Sequence, residues 1–108
     1  MGHDGTVWAL RRGPEQAGDI LIDDADFPWL RGRFTPGPAY DAVTRDLFAR
    51  ELDLSQRFEE DERILAEWDE VCGAVNALLT LHRPDGAPVA DFLLHIEGDR
   101  AAFRWADD

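Results

Sequence analysis

The chain has 108 residues, 44% of them apolar, with four tryptophans and a single cysteine. That length bounds it to one domain, residues 1–108, with room for a real core but none for a second domain built around a cofactor. A formal charge of −12 argues against direct nucleic-acid binding and against docking on anionic membranes, and no apolar run is long enough to span a bilayer.

Thr6–Arg11 alternates, with Trp8 and Leu10 on one side. Arg12–Gly18 carries loop signals, and Asp19–Asp23 alternates again, placing Ile20 and Ile22 together. The expected unit is an antiparallel hairpin with Trp8, Leu10, Ile20 and Ile22 facing the core. Residues 24–40, DADFPWLRGRFTPGPAY, contain three prolines and two glycines and read as an irregular, aromatic-rich segment. Such a segment plugs one end of a core or presents a binding surface, whose candidate residues are Phe27, Trp29, Arg31, Arg33 and Phe34.

From Gly37-Pro38 the period changes to that of a helix. Tyr40, Val43, Leu47, Phe48 and Leu52 form one apolar stripe, and Phe58, Leu65, Trp68, Val71 and Cys72 a second. Two helices with a break at Leu52–Ser55 fit a small domain better than one long helix, with Asp53 or Ser55 capping the second and Gly73 ending it.

The last third reads as a three-strand meander. Val75, Ala77, Leu79 and Leu81 share a face in the first strand; Ala90, Phe92, Leu94 and Ile96 do in the second; Ala101, Phe103 and Trp105 do in the third. A two-residue turn at Gly98-Asp99 sets Glu97 opposite Arg100, Leu94 opposite Phe103 and Phe92 opposite Trp105. A longer turn over Arg83–Pro88 sets Leu79 opposite Phe92 and Ala77 opposite Leu94. The fold expected is α+β, a two-layer sandwich of one antiparallel sheet of about five strands, in the order β-β-α-α-β-β-β, with two helices on one face.

Little in the chain has the pattern of catalysis. Cys72, on an apolar helical stripe, is expected to be a buried, unreactive thiol, and Ser55 is expected to act as a cap or turn residue. The histidines are His3, His82 and His95; the expected register holds His82 and His95 too far apart for one zinc ion, although Asp91 lies between them. Asp23, Asp24 and Asp26 lack the glycine and distal glutamate of a calcium loop. No cofactor, metal site or phosphate loop is expected, and the chain leans away from being an enzyme. The lone cysteine and the absence of a leader pattern at Met1–Gly5 point to a reducing, cytoplasmic location.

The expected outer face of the meander mixes Leu78, His82, Asp91, Leu93, His95 and Arg104, more apolar than a wholly solvated face. The leading expectation is a non-enzymatic protein-interaction domain, using that face or the aromatic segment to bind a protein partner or a second copy of itself. Two alternatives stand beside it. One is a small-molecule binder or unusual enzyme with a pocket between sheet and helices, gated by residues 27–34. The other is an acidic decoy for a basic nucleic-acid-binding protein, using Glu59, Glu60, Asp61 and Glu62 with Glu67, Asp69 and Glu70.

Overall fold

Alternating apolar residues build strands at both ends of the chain, and a helical pair lies between them. The computed structural model describes residues 4–106; His3 and most of the stretch read as lacking a leader pattern lie outside that range. The elements are β1 (Val7–Arg12), β2 (Glu15–Asp26), β3 (Trp29–Pro36), α1 (Ala42–Ser55), α2 (Glu62–Leu78), β4 (Thr80–His82), β5 (Asp91–Glu97) and β6 (Arg100–Ala106). All six strands join one antiparallel sheet in the order β4-β1-β2-β3-β6-β5. The architecture is the expected α+β one, strands then helices then strands, with one more strand than counted from the pattern.

The extra strand is β3. Its prolines and glycines suggested an irregular segment, but Leu30, Gly32 and Phe34 alternate inward and Arg31, Arg33 and Thr35 outward. Gly32 is required by close approach: a Cβ there would lie 2.0 Å from the Leu21 carbonyl oxygen. The pairing of β2 with β3 shifts register between Ile22 and Asp24, a bulge beside that contact. Pro28 follows a cis peptide in the turn between β2 and β3, and Pro36 ends β3, so neither interrupts the ladder.

The sheet is strongly curled. Three strand spacings separate β1 from β6, roughly 14 Å if the sheet were flat. Yet the Trp8 ring lies 5.0 Å from that of Phe103 and 4.9 Å from that of Trp105. The segment between β4 and β5 ties the edge strand β4 to β6: Val89 N–H donates to Leu81 O (3.0 Å) and Ala90 N–H to Ala106 O (3.2 Å). Inside the curl, Trp8, Leu10, Ile20, Ile22, Leu30, Phe92, Leu94 and Phe103 form one buried core, joined by Phe48 of α1 and Val75 of α2. Side chains of this size contribute about 1.5–3 kcal/mol each on burial.

The helices break where expected, α1 ending at Ser55, but their caps differ. Asp41 starts α1: its Oδ1 accepts from the Thr44 N–H and hydroxyl, both at 3.0 Å, and its Oδ2 from Arg12 at 2.7 Å. Those donors hold the Asp41 carboxyl down at about 2. Asp61, rather than Asp53 or Ser55, caps α2. That helix runs on through Gly73 to Leu78, which overturns the strand expected from Val75. Val71, Val75 and Leu79 repeat every four residues and satisfy a helix as well as the period-2 reading did. The expected pairing of Leu79 with Phe92 and Ala77 with Leu94 therefore does not form; β4 is a short strand that pairs with β1, through Leu10 opposite Leu81.

Candidate functional site

Two places on the molecule gather the residues with recognition chemistry, and Trp29 belongs to both. The first is an open groove. The β3–β6 ladder stops at Leu30 opposite Phe103, while β2–β3 continues to Asp26 opposite Trp29 and β5–β6 continues to Asp91 opposite Ala106. Beyond that point the two hairpins splay. The gap between them is an apolar groove of about 510 Å3 lined by Ala25, Phe27, Pro28, Trp29, Leu30 and Trp105. Phe27, at the tip of the hairpin, is 85% exposed. Trp105, expected in the core, is only half-buried; it packs on Trp8 and lies under the Arg83 guanidinium, 5.9 Å from its ring centre.

The second place is the seam where the helices meet β5. Glu51 of α1 is 1% exposed. Its Oε2 accepts from Trp68 Nε1 of α2 at 2.9 Å and lies 2.6 Å from His95 Nδ1 of β5. The His95 contact lies off the N–H direction, so it is a close electrostatic contact more than an aligned hydrogen bond. Glu51 Oε1 has no hydrogen-bond partner among the described residues. Trp29 stacks on the other side of this unit, its ring 5.2 Å from the His95 ring and nearly parallel, at 19°. Beside it, Asn76 of α2 covers the edge of β5: its Oδ1 accepts from Phe92 N–H (3.1 Å) and its Nδ2 donates to Phe92 O (2.9 Å). Those groups would otherwise be an open sheet edge.

Cys72 also faces the seam, half-buried, and its thiol is pushed up to about 12, first by burial and then by the charge of Glu51. Cys72 is thus only half-buried where the sequence suggested full burial, because it lies at the edge of the α2 stripe, and the raised value favours the thiol over the thiolate at neutral pH. The seam is closed; where Glu51, Cys72, Val75 and Asn76 meet Phe92 and Leu94 its free volume is about 0 Å3. A separate hollow of about 400 Å3 lies between α1 and the sheet, lined by Phe34, Tyr40, Phe48 and Ile96 among others.

The residues expected on one outer sheet face are not all brought together. Leu78 is helical, at the end of α2. His82 sits on β4, at the opposite edge of the sheet from β5, and its Nδ1 lies 3.0 Å from Gly86 O. Asp91, Leu93 and His95 do share the outer side of β5, and Arg104 lies opposite Leu93 on β6. Among the residues expected in an aromatic loop, Phe34 points into the core, Arg31 and Arg33 point outward, and only Phe27 and Trp29 line the groove. Among the described residues, no three of His, Cys, Asp and Glu are gathered to hold a metal ion. No helix of the described chain is long and apolar enough to cross a membrane.

Pattern reading missed Glu51 and Trp68 as a pair. The signal was present: Thr44, Phe48, Glu51 and Leu54 are spaced by four, three and three, and they are the residues α1 buries. The apolar stripe through Val43 and Leu47 drew attention to a neighbouring face, and Val43 is in fact 60% exposed. Comparison with known proteins returned nothing: no family model, no curated protein and no solved structure matches the chain.

Proposed function

We propose that the chain is a non-enzymatic interaction domain that takes an apolar segment of a partner protein in the groove between the splayed hairpins. The observation that carries this reading is Phe27, a large aromatic side chain 85% exposed at the rim of an apolar groove of about 510 Å3. Leaving that side chain in water forfeits about 1.5–3 kcal/mol that burial against a partner would recover. Large aromatics at the centre of an apolar patch are the usual anchors of protein interfaces. The −12 charge favours a different protein over a second copy, because two such copies repel.

The test is an NMR titration with a short capped peptide carrying Trp-Leu-Trp between serines. Saturable shifts confined to the Trp29 and Trp105 indoles and the backbone of residues 25–30, lost in Phe27→Ala, are expected. Shifts scattered over the surface, or binding indifferent to Phe27→Ala, overturn the reading. Self-association through the groove would appear instead as a concentration-dependent sedimentation coefficient that Phe27→Ala abolishes.

A second reading, a small-molecule binder, is supported by the hollow of about 400 Å3 between α1 and the sheet, a volume within the range of ligand pockets.

A further inference from the structure

On the outer side of the sheet, away from the groove, arginines collect on two neighbouring strands. β3 carries Arg31 and Arg33, and β6 carries Arg100 and Arg104. The register sets Arg33 directly opposite Arg100, and Arg31 opposite Ala102. Like charges placed directly opposite each other are destabilising. Arg100 is held by Asp23 through two short bonds of 2.6 and 2.7 Å. Arg31 reaches Asp24 and Asp26 only at 3.3 and 3.5 Å, long for charge-assisted bonds. Arg33 makes no ion pair within 4 Å among the described residues, although, together with the bonds from Arg100, its charge helps hold the Asp23 carboxyl down.

Ala102 has Arg31 on one side and His95 on the other, in one cross-strand row. Its small side chain leaves a hollow of about 130 Å3 lined by Arg31, Leu52, His95, Glu97, Arg100, Ala101 and Ala102. His95 does not lie loosely in this wall. Glu51 contacts its Nδ1 and Trp29 covers one face. A lone pair on Nδ1 would repel a carboxylate oxygen 2.6 Å away, so this contact favours the tautomer that carries its proton on Nδ1. Nε2 is then the acceptor. Since Nδ1 is buried, the exposed quarter of the side chain lies elsewhere on the ring.

We propose that this hollow binds the free hydrogen phosphate ion, which keeps one hydroxyl beside its two negative charges. Its anionic oxygens meet Arg31 and Arg100, the two arginines that line the hollow, and its P–OH donates to His95 Nε2. The nearby carboxylates set the affinity low: Glu97 lines the hollow, and Asp23, Asp24 and Asp26 compete for the same guanidiniums. Arg31, the loosest of the paired arginines, is the one free to turn from carboxylate to phosphate. Glu51 acts as a positioning residue, since it does not line the hollow and its carboxylate reaches His95 and Trp68 instead.

The experiment compares inorganic phosphate, phenyl phosphate and sulfate by NMR titration at about pH 8, where inorganic phosphate is mostly a dianion that keeps one hydroxyl. Sulfate matches the charge of phosphate there but has no hydroxyl to offer His95. Expected are saturable millimolar shifts at His95, Ala102 and Arg31 with phosphate, and binding of sulfate about tenfold weaker, one bond's worth or about 1.4 kcal/mol. Phenyl phosphate, whose last proton leaves at about pH 6, has no P–OH at about pH 8 and should bind no better than sulfate; if it binds as tightly as inorganic phosphate, the hydroxyl is not what His95 reads and the proposal fails. His95→Gln, which keeps a donor toward Glu51, should bring phosphate down to the sulfate level and leave sulfate unchanged. Arg31→Ala should weaken both. Equal affinity for phosphate and sulfate, or a His95→Gln variant that still separates them, overturns the proposal, as does an absence of saturable shifts. Retained amide dispersion and melting temperature in both variants show that the fold is intact.

Discussion

The groove and the seam are built from the same kinds of residue and end in opposite states. Each gathers tryptophans against strand ends, and Trp29 stands between them, one side toward Phe27 and Pro28 and the other stacked on His95. At the seam, helices supply what the strand edge lacks: Asn76 satisfies Phe92, and Glu51 joins Trp68 to His95. Among the described residues nothing comparable covers the splay between β3 and β6, and Phe27 is left 85% exposed. The difference lies in which edge the helices cover. α1 and α2 pack against β5 and each other and leave the far end of the hairpins open.

His95→Leu should break the closed side most severely. It leaves the buried Glu51 carboxyl with the Trp68 N–H alone, at a cost of about 3 kcal/mol, the upper end for a buried polar group that loses a partner and a large part of the stability of a domain this size. Urea denaturation measures it, and the double variant Glu51→Leu/His95→Leu should recover most of the loss. A single variant as stable as the wild type would mean that the contact carries no weight.

Asn76→Ala should cost less, about 1–3 kcal/mol, by leaving Phe92 N–H and C=O without their side-chain partner at a buried edge. Faster amide exchange confined to Phe92 and its neighbours would accompany it. If exchange there is unchanged, another group covers that edge.

Gly73→Ala should work in the opposite direction. Gly73 is interior to α2 and exposed, and a Cβ there meets nothing within 4 Å. The substitution should stabilise by about 0.5–1 kcal/mol, raising the denaturation midpoint without changing its slope. A lower midpoint would indicate that the surface around Gly73 is needed bare.

Phe27→Ala sharpens the contrast from the other side. At the groove it should shift stability by no more than about 0.5 kcal/mol, because the ring is already in water, while removing the peptide binding described above. A large destabilisation would mean that the hairpin tip is part of the folded core after all.

Much of the scaffold was legible in the chain. The β5–β6 register matches its expected pairing at every position, Glu97 opposite Arg100 through Phe92 opposite Trp105, because a two-residue turn leaves the alternation a single way to bury its apolar side. Trp8, Leu10, Ile20 and Ile22 are buried for the same reason. Residues 75–78 and 29–36 were misread because their local signals were ambiguous. A four-residue apolar spacing serves a helix as well as a strand, and Pro28, Gly32 and Pro36 look like breakers until a neighbouring strand shows them to be a turn, a close approach and an end.

Local periodicity, turn chemistry and charge were determined by the sequence itself, since each depends on residues a few positions apart. The curl of the sheet, the edge the helices cover and the meeting of Glu51 with Trp68 and His95 were decided only by the tertiary structure. Glu51 and His95 stand 44 residues apart on a helix and a strand. No spacing in one dimension encodes that contact. It exists because the curl leaves β5 as an edge, and α1 buries that edge with the face that carries a carboxylate.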